Sequence, residues 1–453
     1  MNREKQDLTQ GRLGKQILFF SLPLMISNVL QVLFNMSDIA VVGRFAGSTA
    51  LGAVGSTTIL VTLFTGFLIG VGTGVNVLVA RCFGARSEKD TRATVHTSLL
   101  IMGILGILLL ALGELFATQM LRLLNTKEEL LEGAALYLRI YFLGMPAMAI
   151  YNFGNAVYSA VGNTRKPLYY LLAAGILNVL LNLFFVIVCR LDVAGVAIAS
   201  AASQCLSAFL IVRALHREDG MHSLRFREVR LDARKAREIL ALGVPSGGQN
   251  AIFAIANLFI QAGVNSFDAT VVAGNAAAAN ADGLIYDVMA AFYTACASFM
   301  SQNLGAGRRE RVIRSYFISL GYSFFAGGIL GMTLLLFGRP FLSLFTNDPA
   351  VAQAGMERLT IMSFSYAVSA LMDCTIAASR GLGKSVVPMI IVIMGSCVFR
   401  VAWVYTVFAY FHTITSLYLL YIFSWTITGV AEALYFARCY RRIAPGIIAP
   451  TTA

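Results

Sequence analysis

Charge is what this chain of 453 residues has least of. Asp, Glu, Lys and Arg make up 13% of it against 58% apolar residues, where a soluble protein carries roughly a quarter charged residues. The charges fall in short clusters separated by apolar runs of about 20 residues or more, each enough to cross a hydrocarbon core of about 30 Å. Mean hydropathy is +0.73. Strand-period alternation is missing, which excludes a membrane barrel. No G-x-x-x-x-G-K-[ST] segment occurs, so ATP is not expected as the energy source. The four histidines (His96, His216, His222, His412) lack metal-ligand spacing, and the seven cysteines stand singly without a C-x-x-C pair, as small core hydrophobes. No nucleophile constellation is present. An enzyme is not expected, nor a catalytic residue, a cofactor or a bound metal beyond a transported Na⁺. The net charge of +12 is spread over alternate connections rather than gathered into one patch, which argues against a nucleic-acid partner.

What the chain does have is a long apolar stretch in two copies. ILFFSLPLMISNVLQVLFNMSDIAVVGRFAGSTALGAVG near the front is matched by ILALGVPSGGQNAIFAIANLFIQAGVNSFDATVVAGNAAAAN, shifted by about 222 positions. Pro23 falls on Pro245, Asn28 on Asn250, Asn35 on Asn257 and Gly52 on Gly274. After a one-residue slip, ARCFGAR (Ala80 to Arg86) meets SQNLGAG (Ser301 to Gly307), Gly162 meets Gly383 and Pro167 meets Pro388. The first copy is not a cleaved signal, because it is too long, carries Asn28, Gln31 and Asn35, and has a relative in mid-chain.

Twelve spans follow, at roughly 15–38, 50–80, 94–116, 132–159, 167–189, 193–215, 237–262, 272–301, 313–337, 352–378, 387–410 and 415–438. The expected fold is an all-α polytopic membrane protein. An N-terminal six-helix bundle (1–216), a cytoplasmic linker (217–236) and a C-terminal six-helix bundle (237–453) make up the chain. Six spans per half put both halves in the membrane the same way up, so the bundles are related by a pseudo-two-fold along the membrane normal. Of the 35 Lys and Arg, 27 fall on one side. That side, with both termini and the linker, is cytoplasmic, and the membrane is the plasma or inner membrane. Pro23 and Pro245 at equivalent places are candidate hinges, since a membrane helix broken by proline has a place to bend. Pro146 lies inside the fourth span, and small-residue spacing at Gly66/Gly70 marks close helix packing.

Ser21 to Gly55, together with ARCFGAR and SQNLGAGR at the ends of spans two and eight, resembles the multidrug and toxic compound extrusion (MATE) family over essentially the whole chain. The resemblance implies a V-shaped pair of six-helix bundles around a central cavity, and export of organic, often cationic, compounds driven by inward H⁺ or Na⁺. It places Asp38 at the family's acidic position in the first span, Asn178 and Asn182 at its polar pair in the fifth, and Ser200 at a hydroxyl position in the sixth. Asn182 stands where some members have Asp, and span seven offers Asn250, Asn257 and Gln261 where some have Glu. Asp373 lies about one turn from the acid of many members.

Asp38 is a carboxylate among apolar residues, costly to keep ionised in hydrocarbon, so it must be neutral part of the time, paired, or bound to a cation. At 1.5 Å per residue, Asn182 lies about 22 Å up from the inner start of its span and Ser200 about 10 Å down from the outer start of the next. With Asn178 these form an expected cation-coupling cluster. The expected substrate or second-lobe cavity takes in Asn35, Asn257, Gln261, Asp282, Asp287, Asp373 and Arg400. Asp282, Asp287 and Arg400 all fall near mid-membrane, so Arg400 is expected to pair with one of the two acids, leaving the other for a cationic substrate or a proton. Arg139 and Arg358, nearer the outer face, read as snorkelling or paired. Phe34, Phe64, Phe67, Tyr141, Phe153, Tyr286, Met289 and Phe292 are candidates to line a pliable apolar wall. The expected activity is secondary antiport of small organic compounds by a monomer in the bilayer. The alternatives are a lipid-linked precursor flippase and a non-transporting receptor or scaffold.

Overall fold

Twelve helices carry the chain in the computed structural model, which describes residues 7–443. In chain order they are α1 (Leu13–Phe45), α2 (Gly47–Gly84), α3 (Glu88–Leu123), α4 (a bent pair, Glu128–Leu143 and Met145–Ala160), α5 (Arg165–Val188) and α6 (Asp192–His216). The second half holds α7 (Ala233–Val264), α8 (Ala269–Gly305), α9 (Arg309–Leu342), α10 (Pro349–Gly381), α11 (Val386–Phe411) and α12 (Ile414–Ile443). Eleven are single helices long and apolar enough to cross a membrane, and α4 makes the twelfth if its two pieces, bent by 46° at Gly144, form one span. Pro146 sits in the first turn of the second piece, where its missing N–H costs no helical bond. There is no strand among the described residues. Side chains such as Ile104, Ile107, Leu108 and Leu115 stand outward and exposed, as a hydrocarbon solvent requires.

Local chemistry sets the helix ends. Ser87 caps α3 by accepting from the Asp90 amide, Asp268 caps α8 through Val271, and Asp348 caps α10 through Ala350 ahead of Pro349. The duplication reaches the backbone. Gly162 and Gly383, matched in sequence, end α4 and α10 with φ of 86° and 83°, a left-handed conformation that glycine adopts without steric cost. Gly307 does the same at 71°, while its counterpart Arg86 takes φ 55° as a non-glycine residue.

The chain divides into two compact units, Ile26–Gly247 (with Asp7) and Leu8–Met25 with the residues from Gly248 onward. This partition differs from the repeat: the first unit includes the opening of α7, and the second includes the opening of α1. In the first unit, Gly70 and Gly74 let α2 lie against α7, since a Cβ at Gly70 would fall 2.4 Å from Gly247 Cα and one at Gly74 2.6 Å from Gly243 N. Gly70, expected to mark close packing, does so, and Gly74 one turn on does the same. In the second unit, Ile17, Phe20 and Leu24 of α1 pack on Phe292, Ala295 and Phe299 of α8. The segment 217–232 is stapled to the first unit: the Arg225 amide donates to His96 Nε2 at 3.2 Å and the Asp232 amide to Thr97 Oγ1 at 3.1 Å. Leu8–Gly11 is held likewise on the second unit, with Arg311 donating to the carbonyls of Leu8, Gln10 and Gly11 and Asn303 donating to that of Leu8.

Candidate functional site

Asp38 is buried in the first unit, 9% exposed, where α1, α5 and α6 meet. Asn178 and Asn182, four residues apart, share one face of α5, and both are buried. The Asn182 amide donates to one Asp38 carboxylate oxygen, and Ser200 Oγ donates to the other at 3.3 Å. Asn178 braces both helpers, accepting from Asn182 at 3.2 Å and donating to Ser200 Oγ at 3.4 Å. All four residues of the expected coupling cluster thus come together. The side-chain oxygen of Asn182 is buried without a hydrogen-bond partner, an acceptor beside a carboxylate and a hydroxyl. Immediately beyond Asn182, α5 runs as a π-helix from Phe184 to Val188, a local irregularity that often accompanies functional sites.

The second unit holds a cavity of about 440 Å³ lined by α7, α8, α10, α11 and α12. Asn257, Gln261, Asp282, Asp373 and Arg400 line it. Asn35 does not: it is exposed on the α1 segment of the first unit. Asp287 is half-buried on α8 and is not a lining residue. Pro23 and Pro245 lie inside unbroken helices, each two residues ahead of the point where the compact units change over.

The expected partnership of Arg400 with Asp282 or Asp287 is not formed. Arg358 pairs with Asp282, and Tyr366 donates its hydroxyl to the same carboxylate. Asn275 accepts from Arg358 at 2.6 Å and from Tyr418 at 3.1 Å. The reason is register. Gly274 brings α8 against the Ala354 Cβ and the backbone of Val351 and Gly355 on α10, which puts Asp282 within reach of the Arg358 side chain. Depth along a helix, the quantity read from sequence, does not say which way a side chain faces. Arg400 sits on a short α-helical turn, Phe399–Trp403, between two π-helical stretches, Ile393–Val398 and Val404–Phe408. These turns break the 3.6-residue period, so counting along the helix misplaces its side chain. Arg400 donates to Asn257 and Ser424, each at 3.3 Å, and lies over the rings of Tyr421 (4.9 Å), Phe253 (5.6 Å) and Trp425 (5.7 Å).

Sequence reasoning missed Asn275, Tyr366, Tyr421 and Trp425 as site residues and read Arg358 only as snorkelling or paired. A signal was present: Asn275, Asp282 and Tyr286 at i, i+7 and i+11 share one face of α8, as do Arg358, Tyr366 and Asp373 at i, i+8 and i+15 on α10. Of the aromatic and Met candidates for a wall, Tyr286 lines the cavity, whereas Phe64, Tyr141, Phe153, Met289 and Phe292 belong to hydrophobic cores. No cluster of three or more His, Cys, Asp or Glu suited to a metal occurs among the described residues.

The MatE family model matches residues 23–184 and 245–406, one match per half in the register of the internal repeat. The chain is 26% identical over 395 residues to a probable multidrug resistance protein, YoeA, of Bacillus subtilis (strain 168), covering 85% of each chain. It is 27% identical over 359 residues to an FAD transporter of Shewanella oneidensis, covering 78% of each. Among solved structures, it superposes on an outward-facing multidrug resistance MATE family transporter of the MOP superfamily. The TM-score is 0.90, over 98% of this chain and 100% of that one, at 21% identity. A MOP superfamily transporter from Pyrococcus furiosus, described as having a binding pocket of reversed polarity, gives 0.91 over 98% and 99%, also at 21%. These two likenesses concern the fold.

Proposed function

This chain belongs to the MatE family of membrane transporters, and from that premise we propose that it exports small organic compounds in exchange for H⁺ or Na⁺, with Asp38 carrying the coupling ion. The observation that carries the proposal is the Asp38 cluster: a buried carboxylate, one amide and one hydroxyl donating to it, and an adjacent unpartnered amide oxygen. Protonated, the carboxyl keeps hydrogen bonds to its neighbours. Deprotonated, it joins the Asn182 and Ser200 oxygens as hard ligands of the kind that hold an alkali cation. The relatives named as a multidrug resistance protein and an FAD transporter support small organic cargo.

The cycle is alternating access, one ion state favouring one shape of the protein; a ligand that binds both shapes equally drives nothing. Pro23 and Pro245 are the proposed bends, supported by the change of compact unit two residues after each. The chain works as a monomer in the plasma or inner membrane, with both termini cytoplasmic, as the Lys and Arg distribution supports. The test is dye efflux from reconstituted vesicles under imposed pH and Na⁺ gradients. Asp38→Asn abolishes gradient-driven efflux while the protein elutes as a folded monomer, and the gradient that drives the wild type identifies the ion. Unchanged efflux in Asp38→Asn overturns the proposal.

A further inference from the structure

We propose that the cavity of the second unit accepts planar aromatic compounds carrying an acidic group, with Arg400 receiving the acid. The proposal rests on the reading of the chain as a carrier of small organic compounds, and it reverses the charge that the sequence suggests for the cargo.

The charge arrangement leads there. Four acidic or basic side chains reach the cavity: Asp282, Arg358, Asp373 and Arg400. Arg358 and Asp282 neutralise each other, with Tyr366 on the remaining carboxylate oxygen and Asn275 on the guanidinium. Arg400 has no such partner: it is 2% exposed, its hydrogen bonds go to the neutral oxygens of Asn257 and Ser424, and no carboxylate lies within 4 Å of it among the described residues. Asp373 lines the same cavity without contacting Arg400, and a buried guanidinium with no carboxylate in contact is costly. An acidic group on the cargo offsets that cost, whereas a cation adds to it.

Geometry agrees. The two hydrogen bonds and the rings of Tyr421, Phe253 and Trp425 hold Arg400 in one orientation. A guanidinium so held presents planar donors that match a carboxylate. The rings around it offer faces and edges to a flat aromatic body, and the volume of about 440 Å³ is that of a small-molecule site. Asp373 is the rival, since it lines the same cavity and hydrogen-bonds to no other described residue. No hydrogen bond orients it toward a cation, the charges of Arg380 and Arg400 already act on it, and its own charge opposes an incoming acid.

Equilibrium binding to the purified full-length protein in detergent tests this, by calorimetry with three size-matched probes: naphthalene-2-carboxylate, naphthalene-2-carboxamide and naphthalen-2-ylmethylammonium. The carboxylate should bind about tenfold or more tighter than the amide, as a charge-assisted contact implies, and the ammonium more weakly than either. Arg400→Gln should make carboxylate and amide bind equally. Arg400→Lys, which keeps the charge without the planar fork, should retain part of the preference and serves if the first variant does not fold. Asp373→Asn should strengthen carboxylate binding. Preference for the ammonium, equal binding of carboxylate and amide to the wild type, or full preference surviving in either Arg400 variant overturns the proposal. No gradient enters the measurement, so the result stands whatever Asp38→Asn does to efflux.

Discussion

Arg358, and not Arg400, neutralises Asp282. The two arginines face the same cavity of the second unit, yet one is locked to a carboxylate and the other is framed by rings and neutral oxygens. This asymmetry separates an arginine held by a carboxylate from one held by neutral groups alone.

It predicts unequal costs of removal. Arg358→Met leaves Asp282 as an uncompensated charge and should lower stability by about 3–5 kcal/mol. Adding Asp282→Asn should recover most of that loss. Arg400→Met leaves no stranded carboxylate and should cost less than Arg358→Met. Thermal unfolding in detergent across these variants reads the order, and a larger loss from Arg400→Met would show that the pairing is assigned to the wrong arginine.

Around Asp38 the prediction is graded. Asn182→Ala removes the donor to the carboxylate and the unpartnered oxygen together, whereas Asn178→Ala removes only a brace. Loss of a hydrogen bond to a charged group is worth about 1.5–3 kcal/mol. Where Na⁺ is the ion, loss of the Asn182 oxygen should raise the half-saturating concentration in reconstituted vesicles about tenfold or more. Where H⁺ is the ion, loss of the donor favours the protonated carboxyl and should lower it by a similar factor. Asn178→Ala should move it less in either case. Equal effects would mean that Asn182 is no closer to the ion than Asn178.

Close packing of α2 is tested with two glycines of the same helix. Gly70→Ala drives a Cβ to within 2.4 Å of Gly247 Cα and should destabilise by about 1–3 kcal/mol. Gly55→Ala meets nothing within 4 Å and should leave the unfolding temperature within a degree or two or raise it slightly, since alanine favours the helix. Matching behaviour of the two variants would contradict the packing described here.

A pH effect belongs to the stapled segment after α6. Burial raises the Glu218 carboxyl, but the hydrogen bond and charge of Lys166, with the charge of His222 and the Tyr158 hydroxyl, together outweigh it and hold the group below its ordinary range. A carboxyl depressed in the folded state contributes stability that is fully present above the unfolded value, about 4.3, and is lost as pH falls through the lower folded value. Wild-type protein should lose unfolding temperature on acidification below about pH 4.3 more steeply than Glu218→Gln. Parallel curves would remove Glu218 from the acid response.

The membrane class, the span count, the duplication and the Asp38 cluster were legible in the sequence. Hydrocarbon demands long apolar helices wherever the chain crosses it, and a polar group inside one must find another. The resemblance to the family singled out Asp38, Asn178, Asn182 and Ser200, and depth along the helices, with four residues making about one turn, agreed with their meeting. What tertiary structure decided is which charges meet. Arg358 reaches Asp282 because Gly274 fixes how α8 lies on α10, and Arg400 faces the rings because π-helical turns on either side of it reset the rotation of α11. Composition and depth along a helix carry neither quantity. The angle at which a side chain leaves its helix, and the neighbour it then finds, arise only when the helices pack.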